Sequence, residues 1–340
     1  MNPASLAAAE AKNLSAWHLN AGNISESLRL QPEENLTIKS QGGSLGWATG
    51  WGNFGLGILA SIKTTRSQYS VEGDVGNIET ASTRSRFGSV AMRGGLRLNK
   101  AVAIGLSYAR YGMTHDFSID ENRAGLDLPT LESSFYGNAP TIGLTFGDSK
   151  SMLIGLVHRP QFELSQTNDN IRTGGNSQRI DGGSIRSARQ AYQHVSSNGF
   201  QSARMVMPAK TTLGVESVLW GKRDLVFRSD LSLLNPVAGA YLMEPGYLVY
   251  LSRESDLAVS ARRYQILPGI GMAAKLHPLL FFDEVAGGVY FDENAGNRLI
   301  GDRHWTYGIS KSYQLWGMDL SVDFAVDQTE TSRRYVVNLF

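Results

Sequence analysis

From Trp316 to Asp327 the chain alternates without a fault. Trp316, Met318, Leu320, Val322, Phe324 and Val326 fall on one face, and Gly317, Asp319, Ser321, Asp323, Ala325 and Asp327 on the other. Only an extended strand sorts side chains with a period of two; a helix would mix the two sets. At about 3.3 Å per residue this strand is about 35 Å long. Tilted by about 40°, it spans the roughly 25 Å apolar band of an outer membrane, whereas a strand in a soluble domain is usually about half that length. After a polar loop at Gln328 to Thr331 the chain returns as a second strand from Ser332 and ends at Phe340, so the pair reads as the closing hairpin of a transmembrane β-barrel.

The same grammar recurs upstream. Asn13 to Asn20 reads as a first strand and Asn35 to Trp51 as a second, with a bulge at Gly42-Gly43. Gly52-Asn53 turns into Phe54, Leu56, Ile58, Ala60 and Ile62; Asn99-Lys100 joins Val90, Met92, Leu96 and Leu98 to Val102, Ile104, Leu106 and Tyr108; Asp148 to Lys150 joins Ile142, Leu144 and Phe146 to Met152, Ile154 and Leu156. Beyond Phe200, Leu213, Val215 and Leu219 lead through Gly221 to Arg223 into Leu225, Phe227, Leu231 and Leu233, and a break between strands is expected at Pro268-Gly269. The connections alternate in length. The tight set includes the turns just named, with Ser255-Asp256, His277-Pro278 and Tyr313 to Leu315, while Thr65 to Thr83, Gly112 to Ala139, Gln166 to Gly199, Asn235 to Pro245 and Asp292 to Asp302 read as long polar loops. Short periplasmic turns and long outer loops are what a bacterial barrel has. The expected fold class is therefore all-β: an antiparallel transmembrane barrel of about fourteen strands, with both termini on the periplasmic side.

Composition agrees and excludes other classes. The 340 residues include 37 Gly, 10 Pro and no Cys, with a formal net charge of +1. Scattered, balanced charges give no basic patch for nucleic acid, and the lack of Cys removes disulfides and thiolate metal sites. No run of about 18 apolar residues exists to make a spanning helix. A barrel draws its lipid face from every second residue, so a mean hydropathy of −0.19 does not argue against the membrane. Met1-Asn2-Pro3 lacks the basic start of a signal peptide.

Two terminal motifs carry a family resemblance. Asn2-Pro3-Ala4-Ser5-Leu6-Ala7 resembles the Asn-Pro-Ala-Gly-Leu-Ala segment of the FadL family of outer-membrane channels for long-chain fatty acids and aromatic hydrocarbons, with Ser5 where the family has Gly. The residues also fit an ordinary helix start, with Asn as N-cap and Pro at the first helical position. The final Phe340 resembles the C-terminal signal read by the barrel-insertion machinery, although Leu339, Val337 and Tyr335 are a cleaner apolar set than Asn338, Val336 and Arg334. The resemblance implies an N-terminal hatch over residues 1–12, with Asn2, Pro3 and Ala4 gating a barrel over residues 13–340. It also implies a passive channel for hydrophobic small molecules, seated among outer-membrane lipids and lipopolysaccharide, with no cofactor. Ligand is expected among apolar residues of the long loops, at Phe117, Leu126, Leu128, Leu131 and Phe135. A second reading from the same superfamily is a non-transporting barrel that holds a secretion-system protein partner, as the shuttle subunits of the type IX system do.

Chemistry is thinly represented. His194-Val195-Ser196-Ser197-Asn198-Gly199 resembles the His-x-Ser-Asn-Gly run of outer-membrane phospholipase A, but with an extra Ser and without that enzyme's downstream segment; the chain is not expected to be an enzyme. The six His, at 18, 115, 158, 194, 277 and 304, have no metal-ligand spacing, so no metal is expected. Gly174-Gly175 and Gly182-Gly183 lack the strand-to-helix context of a phosphate cradle. Asp319, Asp323, Arg228, Asp230, Glu216, Arg93, Arg97 and Arg110 are assigned to the lumen, where charges can pair across the bore. Trp47, Trp51, Trp305, Trp316, Tyr108 and Tyr307 are assigned to an aromatic girdle.

Overall fold

The computed structural model describes residues 4, 15–31, 34–72, 78–121, 130–148, 150–172, 205–221, 224–236, 242–243, 247–248, 264–276, 281–292, 302–315, 318–329 and 332–339. The first strands are β1 (Ser15–Gln31), β2 (Glu34–Trp51), β3 (Phe54–Glu72), β4 (Ile78–Arg97), β5 (Val102–Glu121) and β6 (Thr130–Asp148). Then come β7 (Met152–Arg159), β8 (Phe162–Arg172), β9 (Met205–Met207), β10 (Lys210–Trp220) and β11 (Leu225–Leu234). A small ribbon of β12 (Leu242–Met243) and β13 (Tyr247–Leu248) forms a separate sheet, with β12 against β9. The chain finishes with β14 (Gln265–Lys275), β15 (Glu284–Asp292), β16 (Asp302–Leu315), β17 (Met318–Gln328) and β18 (Ser332–Leu339).

Every ladder is antiparallel, and the pairings run β1–β2–β3–β4–β5–β6–β7–β10–β11–β14–β15–β16–β17–β18 before β18 returns to β1. That circuit is a barrel of fourteen strands with no free edge. Closure matters physically, because an unpaired N–H or C=O facing lipid costs several kcal/mol, and only a ring satisfies them all. β8 continues the line of β7 beyond Pro160-Gln161 and β9 pairs with β8, so the wall is doubled in length there without adding a strand to the ring.

The sides of the strands are assigned by what they expose. Leu45, Leu56, Ile58, Ile62, Met92, Leu106, Ile142, Leu213, Leu231, Ile270, Phe324 and Val337 are large, apolar and exposed, and they alternate with residues facing the bore. An apolar belt running round the whole ring is untenable in water and is what a bilayer requires. Tyr335 and Val337 share the exposed face of β18, so the apolar set of the last strand faces lipid; Phe340 lies outside the described residues. No helix among the described residues is long and apolar enough to cross a membrane.

Several features differ from the sequence reading. β1 runs on to Gln31, past the expected end at Asn20, and Tyr313 to Leu315, expected as a turn, is the end of β16. Thr65 to Thr83 and Gly112 to Ala139 are mostly strand, because β3 reaches Glu72, β4 starts at Ile78, β5 reaches Glu121 and β6 starts at Thr130. Their Ser, Thr and Tyr are polar but β-favouring and unbroken by Pro, so the strands run on past the membrane. Gly42-Gly43 forms no bulge, since the register on both sides passes through them unshifted. Pro268-Gly269 breaks nothing and lies within β14, in register with Leu231 and Asp230. Arg110 shares the parity of Ile104, Leu106 and Tyr108 and is exposed on the outer surface, not in the lumen. The turns at Ser255-Asp256 and His277-Pro278 lie outside the described residues.

Candidate functional site: the barrel lumen

The bore is best read row by row, since cross-strand registers set inward side chains side by side. On β4, β5 and β6, ascending from the tight-turn end, the inward rows are Gly95–Gly105–Gly143, Arg93–Ser107–Thr141, Ala91–Ala109–Ala139, Ser89–Tyr111–Gly137 and Phe87–Met113–Phe135. Apart from Arg93 the lower rows are small, and the upper rows carry aromatic and thioether groups. Phe135 is 0% exposed and Met113 2%. Phe87 stacks on Tyr111 with ring centroids 5.7 Å apart, and Tyr111 stacks on Phe162 at 4.8 Å. Leu164, Val206 and Met207 are also buried here, which sets aromatic, branched and thioether groups against one another inside the barrel. Stacked rings add about 0.5–1.5 kcal/mol each beyond the area they bury.

This wall is shaped by its prolines and one glycine. β6 pairs with β7 over Ile142 to Asp148 and with β8 over Thr130 to Tyr136, which leaves residues 137–141 without partners in either ladder. Pro140, Pro160 and Pro208 cluster at that interruption, where a residue without an N–H donor costs no ladder bond. At the end of β7 the side chain of Arg159 donates from Nη2 to the carbonyl oxygen of Pro208, between β9 and β10, at 3.3 Å, with its guanidinium 5.7 Å from the Phe162 ring. Gly137 lets β8 close in: a Cβ there would lie 2.5 Å from the carbonyl oxygen of Glu163 and 2.6 Å from Cδ2 of Leu164.

The opposite wall is polar. Arg228 Nε donates to Glu216 Oε2 at 2.9 Å across β10 and β11. Asp327 on β17 accepts from Tyr290 Oη at 2.6 Å and lies 2.9 Å from His304 Nδ1, while the Tyr290 and His304 rings stack at 4.6 Å. Ser310 and Ser321 donate to Asp323 Oδ1 at 2.7 and 3.2 Å. Arg228, Asp230, Glu216, Asp323, Arg93 and Arg97 thus occupy the inward parity assigned to them from sequence; Asp319 falls on β17, and Trp316 lies outside the described residues. His158 instead faces outward and bonds Thr211 at 2.9 Å. Among the described residues no group of His, Asp or Glu could hold a metal.

Of the expected ligand residues, Phe135 lines the aromatic end of the bore, on strand β6 and not in a loop. Phe117 and Leu131 lie opposite each other on β5 and β6. Leu126 and Leu128 lie outside the described residues, as do Asn2, Pro3 and the His194 to Gly199 run. Ala4 is 0% exposed and clusters with Ala103, itself 2% exposed, at the tight-turn end of β5. The sequence reading did not single out Phe87, Met113, Tyr111, Phe162, Leu164 or Met207. Their signal was available: in β4 and β5 they are large apolar residues on the parity that elsewhere carries Ser, Gly and Arg.

No protein-family model matches the chain, and no curated protein matches it. Solved structures do. A Pseudomonas aeruginosa FadL homologue superposes with a TM-score of 0.60 at 11% identity, over 99% of this chain and 91% of that one. The Pseudomonas putida toluene transporter TodX gives 0.56 at 12% identity, over 99% and 90%, and the CymD monoaromatic hydrocarbon channel 0.51 at 11%, over 100% and 90%. The fold is FadL-like. With so little identity the likeness is one of architecture, and it accounts for the whole chain. A FadL-like barrel with an apolar belt is an outer-membrane protein, and in such barrels the tight turns face the periplasm and the longer ends the exterior.

Proposed function

We propose that this FadL-like barrel is a passive outer-membrane channel for small hydrophobic molecules, of the size of aromatic hydrocarbons or fatty-acid chains. The observation that carries the reading is the apolar cluster inside the bore: Phe87, Met113, Tyr111, Phe135, Phe162, Leu164 and Met207 give an apolar solute a favourable site that a water-filled pore lacks. The interrupted β6 pairing at residues 137–141 lies beside that cluster. A FadL homologue, TodX and CymD sharing this architecture supports the same class of solute. No energy source or cofactor enters the scheme.

Residues 1–12 act in this scheme as a hatch over the periplasmic mouth, with Asn2, Pro3 and Ala4 at its tip. The support is Ala4, wholly buried against Ala103, beside a wall tier of Gly95, Gly105 and Gly143 that leaves room for a chain segment. Ligand binding shifts the hatch between closed and open populations.

Uptake of toluene, an alkane and a long-chain fatty acid into cells or proteoliposomes tests this. Phe162→Ala is expected to lower uptake at least tenfold while the barrel keeps its heat-modifiable migration, and deletion of residues 2–9 is expected to raise leak of small polar solutes. A folded barrel that passes none of the three, with or without residues 2–9, is not this channel.

A further inference from the structure

Five basic side chains stand on the outer surface of β2 to β5, where the lumen plays no part. The exposed apolar residues Leu45, Ile62, Val90 and Leu106 fix the outward parity of these strands. Followed toward the extracellular rim, the same parity carries Lys39, Arg66, Arg84, Arg86 and Arg110, of which Arg84 is half-buried and the rest exposed. Lys39 lies directly opposite Arg66, and Arg66 directly opposite Arg84, so three cations form one row across three strands. Arg86 sits one outward row lower, opposite Thr64 and Thr114, and Arg110 holds its guanidinium 5.8 Å from the Tyr136 ring. The acids nearest in the row are Asp116, opposite Arg84, and Glu132 beyond it. Like charges directly opposite one another in a sheet repel, and Arg84 Nε is buried with no hydrogen-bond partner among the described residues.

The position of the row says what would relieve that repulsion. Arg66 is about twelve residues above Phe54 at the periplasmic turn, which at about 3.3 Å per residue and a tilt of about 40° is roughly 30 Å. That exceeds the roughly 25 Å apolar band, so the row stands at headgroup level in the outer leaflet. Two outward rows below it, under Arg86, the residues are Gly43, Ile62, Gly88 and Gly112, in register, ending at Tyr136. The glycines leave a shallow trough on the lipid face, closed on one side by the Tyr136 ring, which a Cβ at Gly112 would approach to 3.2 Å.

We propose that this face binds the phosphorylated headgroup of an outer-leaflet lipid, with Lys39, Arg66, Arg84 and Arg86 on phosphate and an acyl chain in the trough over Gly88 and Gly112. Guanidinium forks match phosphate oxygens in pairs, and a dianionic headgroup converts mutual repulsion along the row into shared attraction. The site is independent of the transport reading, since none of these side chains enters the bore.

The test uses the whole protein in neutral detergent micelles with three probes: bisphosphorylated lipid A, its dephosphorylated counterpart and inorganic phosphate. Bisphosphorylated lipid A is expected to bind at least tenfold more tightly than either of the others, and to lose at least tenfold in the triple variant Arg66→Gln, Arg84→Gln, Arg86→Gln. Arg66→Gln alone, at an exposed position, is expected to lose at least threefold and serves if the triple variant fails to fold. Solute uptake is expected to be unchanged in either. Equal binding by wild type and folded variants overturns the proposal. So does inorganic phosphate binding as tightly as the lipid, which would make the row a free-anion site, and so does equal binding of the dephosphorylated lipid.

Discussion

The wall built from β4 to β9 and the wall built from β10 to β17 enclose one bore by opposite rules. On the first, Phe87, Met113, Phe135, Phe162 and Leu164 fill inward positions and hold together by packing. On the second, Glu216, Arg228, Tyr290, His304, Asp323 and Asp327 hold together by directed hydrogen bonds. The strands differ as well: β2 to β6 run 18–20 residues, against 8–11 for β7, β10, β11, β14, β15, β17 and β18. Packing is non-directional and tolerates a mobile guest, whereas hydrogen bonds between neighbouring strands fix distances along the wall. One wall can receive a hydrophobic solute and the other can hold the cylinder in shape while it does so.

The largest effect is expected where the apolar wall depends on one missing atom. Gly137→Val would drive its Cβ into the backbone oxygen of Glu163, and backbone cannot swing aside as a side-chain tip can. Separation of β8 from β6 would then expose Phe162 and Leu164. Most of the protein is expected to lose heat-modifiable migration, while Gly88→Ala, whose Cβ would meet nothing nearer than 3.5 Å, is expected to fold normally. Equal behaviour of the two would mean that the β6–β8 approach does not hold the apolar wall.

A middling effect is expected on the polar wall. Asp327→Ala removes the acceptor of Tyr290 and the partner of His304, and leaving half-buried polar groups without their partner costs about 1–3 kcal/mol. The urea midpoint in detergent should fall accordingly, with affinity for toluene unchanged because Phe162 and Tyr111 are on the other side. A loss of toluene affinity without a loss of stability would show that the two walls do not divide the work.

The sequence disclosed the ring and concealed the division inside it. Hairpins at Gly52-Asn53 and Gly221 were legible because turn residues interrupt a period of two, and both glycines adopt φ of 58°. A count of fourteen to sixteen strands followed from the alternation of turn and loop, and the ring holds fourteen. The height of β3 to β6 was not legible, since Ser and Thr suit a solvated strand as well as a loop. Nor was the cluster at Phe162: Phe87 and Met207 lie far from it along the chain, and only the doubling of the wall by β8 and β9 brings them to one place. Arg110 was placed inside because it is charged, although its parity with Tyr108 already put it outside.

The smallest effect is expected at the periplasmic rim of the polar wall, and it tests whether directed bonds rather than packing hold that side. Asp283, in the bend before β15, accepts from Lys311 Nζ and from the backbone N–H of Ser312, each at 2.7 Å. The Lys311 hydrogen bond first, and then that from Ser312, hold the carboxyl below the usual carboxylate range against an opposing desolvation. A folded pKa below the unfolded value, which is about 3.9 for Asp, means the stabilisation is complete above the unfolded value and is lost as pH falls through the folded one. On the apolar side the β4–β5 turn closes differently, with Asn99 Oδ1 accepting from the N–H of Ala101 at 2.8 Å, and an amide does not titrate. In a pH series on the folded barrel the Ser312 amide resonance should shift with a midpoint below that of an unfolded Asp, the Ala101 amide should not follow it, and Asp283→Asn should abolish the Ser312 shift. A Ser312 midpoint at or above the unfolded value would mean that the rim is held by strand packing alone, and the contrast between the two walls would stop short of the membrane surface.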